Sequence, residues 1–220
     1  MHEVMKNSIQ EILAGRGIVA VLEIDNAETA VPVARALIAG GVTVIELALR
    51  TPAALTAMSR IARDVPEMVI GAGTVIQSGQ ARKVMEHGAS FGVSPGYNPK
   101  ILEEARECRF PFAPGVATAS EIEGAIDQGC SVLKLFPAEQ IGGIPYFKGL
   151  SAPYAHLGLN YFPLGGVTEE SLEHWVELKQ VIAVGGSWIA KRELINAGQY
   201  EEITKRAARA MEIWTRSRGV

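Results

Sequence analysis

The sequence predicts an α/β fold, a (β/α)8 or TIM barrel, from three observations. Eight short apolar runs alternate with longer amphipathic stretches, which is the pattern of parallel strands joined by helical crossovers. The runs are rich in Val, Ile and Leu, as in strands that are covered on both faces. No GxGxxG follows the first run, which favours the closed barrel over an open doubly wound sheet, the alternative that the alternation leaves.

Each element follows from its own stretch of sequence. The expected strands are 18–22, 42–49, 68–72, 89–93, 110–113, 131–136, 159–162 and 181–184. The expected helices are 27–38, 53–63, 77–87, 99–107, 120–128, 169–177 and 187–214, the last as one helix or a pair. Pro145 and Pro153 make the stretch 144–156 less regular. Residues 3–14 are amphipathic and are expected to form an extra N-terminal helix that caps the barrel floor.

The composition excludes several classes of protein. The chain has 220 residues, of which 48% are hydrophobic and 20% charged, and a net charge of −3. This length can bury a core without disulfides, and we expect one barrel domain over residues 1–220. The slight acidity argues against binding to nucleic acid, and no apolar stretch approaches the roughly 18 residues that cross a membrane. The lack of a signal-peptide pattern, and two cysteines without a CxxC motif, predict a cytoplasmic protein.

Lys134 is the strongest candidate catalytic residue because it lies inside the sixth apolar run, flanked by Leu133 and Leu135. Strand periodicity places it on the same face as Val132 and Phe136. Burial disfavours the charged ammonium, and a neutral amine is what attack on a carbonyl and Schiff-base formation require. The alternative is a lysine that reaches the barrel rim or pairs with a carboxylate.

Glu46 and Arg50 share one face of the second run, and Glu46 is enclosed by apolar neighbours. A buried carboxylate is a candidate general acid/base, or else the counter-ion of Lys134 or Arg50. Arg50 falls at the end of the strand, where its guanidinium can bind a carboxylate through two hydrogen bonds, unless it is simply a surface residue. Glu23 lies near the end of the first run, and the sequence assigns it no role.

Two Gly-Gly pairs follow the seventh and eighth runs: Gly165 and Gly166, then Gly185 and Gly186 with Ser187 after them. Paired glycines let backbone N–H groups approach a ligand, and the N-terminus of a following helix attracts anions. Because phosphate sites of barrel enzymes often form after these two strands, the pairs predict a phosphate-binding site. Glycine also makes tight turns, and Ser187 is also a typical residue for starting a helix.

Two further loops face the same end of the predicted barrel. Gly-Ala-Gly-Thr at 71–74 follows the third strand, and Ser-Pro-Gly at 94–96 follows the fourth. Thr74 can either bind a carboxylate or cap the next helix, and Pro95 is a candidate substrate contact. The four histidines lie far apart, and the sequence has no Walker A loop, nucleophile elbow or metal-binding motif. We therefore expect no metal and no cofactor.

Taken together, these segments resemble the 2-keto-3-deoxy-6-phosphogluconate (KDPG) aldolase / 4-hydroxy-2-oxoglutarate (KHG) aldolase family. The segments that carry the resemblance are 44–52 (VIELALRTP), 71–74 (GAGT), 94–96 (SPG), 133–139 (LKLFPAE), 165–167 (GGV) and 185–188 (GGSW). They occur in the family's order along nearly the whole chain.

The resemblance implies a metal-independent class I aldolase, usually a homotrimer, that cleaves KDPG to pyruvate and D-glyceraldehyde 3-phosphate. Lys134 matches the Schiff-base lysine, and Glu46 matches the general acid/base, which in this family works through a bound water. Arg50 and Thr74 match positions that hold the pyruvate carboxylate, and Phe136 packs beside the substrate. The residues that match the phosphate-binding loops are Gly165, Gly166 and Ser187.

Leu164 departs from the family pattern, because the gluconate branch of the family typically has threonine there. A hydroxyl near C4 of the substrate is therefore missing, which leaves the stereochemical preference and the efficiency toward KDPG open, although Arg50 and segment 94–96 look like the gluconate branch. The alternatives are cleavage of non-phosphorylated 4-hydroxy-2-oxoglutarate to pyruvate and glyoxylate, or of a related 2-keto-3-deoxy sugar acid. A phosphosugar isomerase or epimerase, and a non-catalytic barrel that binds a phosphorylated metabolite, are further alternatives.

Overall fold

The computed structural model describes residues 8–219, which contain nine β-strands and ten α-helices in largely alternating order. The strands are β1 (Gly17–Leu22), β2 (Val44–Ala48), β3 (Val69–Gly73), β4 (Phe91–Val93), β5 (Phe112–Ala113), β6 (Gly115–Val116), β7 (Val132–Leu135), β8 (Asn160–Pro163) and β9 (Ala183–Gly186). The helices are α1 (Ile9–Leu13), α2 (Ala30–Ala39), α3 (Ala54–Asp64), α4 (Gln80–Glu86), α5 (Pro99–Glu107), α6 (Ala119–Asp127), α7 (Gly143–Ser151), α8 (Glu169–Val176), α9 (Arg192–Asn196) and α10 (Tyr200–Arg218). Two 3₁₀ helices cover Ala27–Thr29 and Ala152–Leu157.

The strands form the parallel, curled sheet that the sequence predicts. Six strands follow the order β5-β4-β3-β2-β1-β9, and the other three follow the order β6-β7-β8. A parallel bridge between Tyr161 and Val181 joins β8 to the segment that leads into β9. Since β5 and β6 are neighbours in the chain, the two sheets close around one axis. The predicted barrel is confirmed, and the open doubly wound sheet is not formed.

The fifth strand is where the structure differs from the prediction of one strand at 110–113. It consists of β5 and β6, which lie on either side of Pro114. Proline has no N–H to donate to a neighbouring strand, so the ladder is interrupted there. The carbonyl of Pro114 still accepts a hydrogen bond from the backbone N–H of Lys134 at 2.9 Å. This contact keeps β7 in place beside the interrupted strand.

Alternate residues of each strand face two different apolar layers. One set packs outward under the helices. The other set fills the barrel interior and includes Val19, Val44, Phe91, Val132 and Phe162. The barrel is therefore a packed core rather than a pore, and only its two ends are open to function.

Helix α1 closes one end of the barrel. Its Ile9 and Leu13 are buried and belong to the same interior cluster as the inward-facing strand residues. Ser8 starts the helix, because its Oγ accepts a hydrogen bond from the N–H of Glu11 and the Glu11 carboxylate accepts one from the N–H of Ser8. The described part of the expected cap, 3–14, is thus helical over Ile9–Leu13, while residues 3–7 lie outside the described part of the chain.

Helices form in the C-terminal region as predicted, but the first of them begins later than residue 187. The expected helical stretch 187–214 consists of a turn region over 187–191, then α9 and α10. Farther back, the less regular stretch 144–156 is α7 with Pro145 in its first turn, followed by a 3₁₀ helix that starts at the residue before Pro153.

Within residues 8–219, no helix combines the length and apolar character that a bilayer span requires.

Candidate active site

Lys134 and Glu46 meet in the barrel interior, although β7 and β2 lie on opposite sides of the barrel. The Lys134 Nζ donates to both carboxylate oxygens of Glu46, with N···O distances of 3.0 and 3.2 Å. Both residues are almost fully buried, with 3% and 2% of their surface exposed. Val132 and Val44, two residues earlier on each strand, face the same interior. The faces predicted from strand periodicity are therefore observed.

This buried pair fits a catalytic role and a counter-ion role equally well in its geometry. An unpaired charge in such a position would be costly, so the ammonium and the carboxylate stabilise each other. Moving one proton from Nζ to Oε1 converts the pair to an amine and a carboxylic acid without changing its net charge. Lys134 does not reach the barrel rim, which removes one of the alternatives.

Gly73 makes room for the Glu46 carboxylate, a role that the sequence analysis missed. A Cβ at Gly73 would lie 2.2 Å from Glu46 Oε1, which is far inside van der Waals contact. Likewise, a Cβ at Gly71, two residues earlier on β3, would lie 2.3 Å from the Phe91 ring. The sequence analysis placed segment 71–74 after the third strand. In the structure most of this segment belongs to the strand itself, since β3 extends to Gly73. Two glycines at strand period were the signal, since glycine inside a strand marks a close approach.

Arg50 and Thr74, which the family resemblance assigns to the substrate carboxylate, are brought together at the ends of β2 and β3. The Arg50 Nε donates to the Thr74 Oγ1 at 3.3 Å, and Arg50 Nη1 lies 3.6 Å from Glu23 Oε2. Half of the Arg50 side chain is exposed, so its remaining N–H groups are open to an anion. Thr74 does not cap the next helix, because α4 is preceded by Gly79.

Thr74 has a left-handed backbone, with φ of +59°. This conformation is an outlier for a β-branched residue and costs energy that the surrounding structure must offset. Strain of this kind concentrates at sites where a side chain has to be aimed in a set direction. At Thr74 it accompanies the contact of the hydroxyl with Arg50.

Phe136 and the turn that contains Pro95 both lie near Lys134. The centroid of the Phe136 ring is 5.1 Å from the Lys134 Nζ, within the range of a cation–π contact. Lys134 pairs in register with Gly115, and the Pro95 carbonyl lies so close that a Cβ at Gly115 would be 2.3 Å from its oxygen. Ser94 fixes this turn, since its Oγ donates to the Gly96 carbonyl at 2.7 Å.

Gly165 and Gly166 form the turn after β8, and both have left-handed backbones, with φ of +93° and +75°. The turn lies against the segment that follows Lys134, because the N–H of Glu139 donates to the Gly165 carbonyl at 3.0 Å. Thr168 then caps α8 through the N–H of Ser171. The glycine turn and the following helix N-terminus that the sequence predicts are therefore present at this strand end.

Gly185 and Gly186 are different, because they end β9 in ordinary extended backbone and no helix follows them directly. A Cβ at Gly186 would lie 1.4 Å from the Trp188 ring, and one at Gly185 would lie 2.6 Å from the Leu164 side chain. Packing against the Trp188 ring therefore accounts for Gly186, and packing against the Leu164 side chain favours glycine at 185. Ser187 is exposed and does not start a helix, since α9 begins at Arg192. The expected helix N-terminus at Ser187 is wrong, and only the hydroxyl and the backbone remain as anion ligands there.

Leu164 is buried within the interior cluster, with 2% of its surface exposed. Its N–H donates to the carbonyl of Leu135 at 3.0 Å, so it lies beside the strand that carries Lys134. An apolar side chain at this position offers a substrate contact area but no hydrogen bond.

Comparison with known proteins gives the same picture as the geometry. Residues 9–206 match the family described as KDPG and KHG aldolase. The KHG/KDPG aldolase of Escherichia coli (strain K12) is 39% identical over 207 residues, which cover 94% of this chain and 96% of the relative. The 2-dehydro-3-deoxy-phosphogluconate aldolase of Dickeya dadantii (strain 3937) is 38% identical over 206 residues, with coverage of 94% and 96%.

Solved structures include a similar protein with a covalently held ligand. The KDPG aldolase of Legionella pneumophila, with pyruvate captured at low pH as a covalent carbinolamine intermediate, superposes with a TM-score of 0.87 at 36% identity. The match covers 92% of this chain and 97% of that one. With matches of this extent in both sequence and structure, the chain belongs to the KDPG and KHG aldolase family.

Proposed function

We propose that this chain is a class I aldolase that cleaves KDPG to pyruvate and D-glyceraldehyde 3-phosphate. One observation carries the proposal: a lysine amine and a carboxylate face each other, 3.0 Å apart, in a buried position at the centre of the barrel. A class I aldolase needs an amine that can become neutral and an acid/base group close to it. The relatives named as KDPG aldolases, and the carbinolamine described for the Legionella pneumophila protein, support the same chemistry.

In the first step, Lys134 becomes covalently attached to the substrate. Glu46 takes a proton from Nζ, and the neutral amine attacks C2 of the keto acid to give a carbinolamine. Glu46 returns this proton to the carbinolamine hydroxyl, which leaves as water and gives an iminium cation. Glu46 is then a carboxylate again and can take part in the next proton transfer.

The second step breaks the C3–C4 bond. Glu46, directly or through a water, removes the proton of the C4 hydroxyl, and the electrons of the C3–C4 bond move to the iminium, which becomes an enamine. D-glyceraldehyde 3-phosphate leaves. Protonation of the enamine at C3 and addition of one water release pyruvate and the free lysine, so the water lost in the first step is regained.

The remaining candidate residues hold the substrate in place. Arg50 and Thr74 bind the carboxylate next to the reacting ketone, and the Phe136 ring lies along the bound chain. The turn at Gly165 and Gly166, with the start of α8, binds the distal phosphate. Such contacts contribute by fixing C2 near Nζ, which removes much of the entropic cost of the reaction.

A second candidate is 4-hydroxy-2-oxoglutarate, which would give pyruvate and glyoxylate. Two observations favour it: Leu164 brings no hydroxyl to the site, and packing explains Gly185 and Gly186 without a phosphate. Both reactions use the same amine and carboxylate, so they differ only in the distal contacts. Steady-state kcat/KM for each substrate, with pyruvate release as the readout, separates them. A higher kcat/KM for KDPG supports the proposal, and a higher value for 4-hydroxy-2-oxoglutarate contradicts it.

We further propose a single-domain, cytoplasmic homotrimer. The free thiols of Cys108 and Cys130 are in keeping with a reducing compartment. Large apolar side chains remain exposed on one protomer, among them Ile76 and Leu157 at 49% and 46% exposure, as expected of a chain with partner subunits. Sedimentation equilibrium tests the subunit number.

A further inference from the structure

An arginine that the mechanism does not use lies at the edge of the proposed carboxylate site. Arg192, the first residue of α9, binds Asp25 through two hydrogen bonds, from Nε at 2.7 Å and from Nη2 at 2.5 Å. Asn196, one turn later on α9, donates to the same carboxylate at 2.8 Å. These contacts lower the pKa of Asp25 from 3.8 to about 2, mainly through the hydrogen bonds from Arg192. The two-point contact with Asp25 thus anchors the Arg192 guanidinium.

The third contact of Arg192 reaches toward the active site. Its Nη1 donates to Glu23 Oε1 at 2.7 Å, while Glu23 Oε2 is 3.6 Å from Arg50 Nη1. Glu23 thus has a hydrogen bond to Arg192 but only a longer ionic contact with Arg50. Both arginines contact the carboxylate of Glu23. Only Arg192, which lies outside the site, forms a hydrogen bond with it.

This arrangement matters because Arg50 has two possible anionic partners. One is the Glu23 carboxylate, which belongs to the same chain and always lies nearby. The other is the substrate carboxylate, which arrives from solution. If Glu23 paired fully with Arg50, the substrate would have to displace it before binding. A hydrogen bond that draws Glu23 toward Arg192 weakens this internal competition.

We propose that Arg192 is a positioning residue of the aldolase site, which holds Glu23 away from Arg50 and so leaves the Arg50 guanidinium free for the carboxylate of the keto acid. The inference rests on the proposed function, because it takes Arg50 as the group that binds the substrate carboxylate. It adds a role for α9, whose residues are otherwise outside the reaction.

The test compares Arg192→Gln with the double variant Glu23→Gln/Arg192→Gln. In Arg192→Gln, Glu23 closes onto Arg50, so KM for KDPG and the half-saturating pyruvate concentration for borohydride labelling rise about threefold, within the range of exposed ion pairs. The turnover number kcat stays within about twofold, since the reacting groups are untouched. In the double variant the competing charge is gone, and both values return to those of the wild type or below.

Arg60→Gln is the matched control. Arg60 forms a comparable exposed ion pair with Glu28 at 2.6 Å that includes neither Glu23 nor Arg50, and its loss should change neither value. A rise in KM that persists in the double variant indicates general damage to the loop and overturns the inference, as does an unchanged KM in Arg192→Gln. Failure of the proposed function looks different, because pyruvate and borohydride would then leave even the wild-type protein unlabelled.

Discussion

The Nζ of Lys134 and the carboxylate of Glu46 meet across the barrel from residues that are 88 positions apart in the chain. Neither group has another charged partner among the ion pairs of residues 8–219. Each therefore compensates the burial of the other, and the pair links the stability of the barrel to its chemistry.

The stability of the protein should depend on keeping this pair complete. We expect Glu46→Leu to lower the free energy of unfolding by about 3–5 kcal/mol, because it leaves the buried Lys134 amine without a partner. The double variant Glu46→Leu/Lys134→Met replaces both groups with apolar side chains and should recover most of this loss. Urea unfolding followed by circular dichroism measures the difference. A double variant as unstable as Glu46→Leu would show that the charges do not compensate each other.

Gly73 should be essential for activity although it has no side chain. In Gly73→Ala, the new Cβ would lie 2.2 Å from Glu46 Oε1, so the carboxylate must move away from Lys134. A correctly placed acid/base group contributes a factor of roughly 10²–10⁴ to the rate. Because the carboxylate is misplaced in this variant, we expect kcat to decrease by a factor within that range. The matched control is Gly149→Ala, since a Cβ there meets nothing within 4 Å. Equal kcat values in the two variants would contradict the assignment of Gly73.

Leu164 should influence which sugar acid the enzyme prefers. We expect Leu164→Thr to raise kcat/KM for KDPG relative to its C4 epimer by about two- to tenfold, the worth of one added hydrogen bond. The side chain is buried beside the strand of Lys134, so the new hydroxyl would have few partners besides the substrate. The two substrates are compared at limiting concentration. An unchanged ratio would mean that this position does not contact C4.

Tyr161 should make the protein sensitive to alkaline pH. Burial raises the pKa of its phenol from 10.0 to about 12, and its hydroxyl is buried without a protein hydrogen-bond partner in residues 8–219. The unfolded chain loses this proton near pH 10 and the folded chain only near pH 12, so the contribution to stability is present below pH 10 and is lost between these values. The loss amounts to about 2–3 kcal/mol.

The variant Tyr161→Phe tests this dependence. At pH 8 it should unfold at a urea concentration close to that of the wild type, because no hydrogen bond between protein groups is removed. Between pH 10 and pH 12 its stability should decline less than that of the wild type. Parallel declines in the two proteins would show that the phenol of Tyr161 does not titrate in this way.

The sequence predicted the barrel and the faces of Lys134 and Glu46, because strand periodicity and the repeat of strands and helices are local properties. It named Lys134 and Arg50 as alternative partners of Glu46 and could not choose between them, since a strand buried on both faces gives no signal for which face lies inside the barrel. The closeness of Gly73 to Glu46 depends on the packing of β2 against β3 in three dimensions. For the same reason, the contacts of Arg192, Glu23 and Arg50 were invisible in the sequence.

Two errors came from reading a pattern without its local geometry. Pro114 interrupts the fifth strand, and a proline next to an apolar run was the available signal. Ser187 resembled a helix start because serine is a preferred N-cap residue. Instead, the Trp188 ring packs over the backbone at Gly186, and the chain turns until Arg192 before a helix forms.

Reductive trapping with pyruvate tests the central assignment most directly. Protein treated with pyruvate and sodium borohydride is digested, and the modified peptide is located by mass spectrometry. We predict a single added 1-carboxyethyl group on Lys134, its loss in Lys134→Ala, and its retention at a reduced rate in Glu46→Gln. No modification of the wild type, or a modification that persists in Lys134→Ala, would contradict the account.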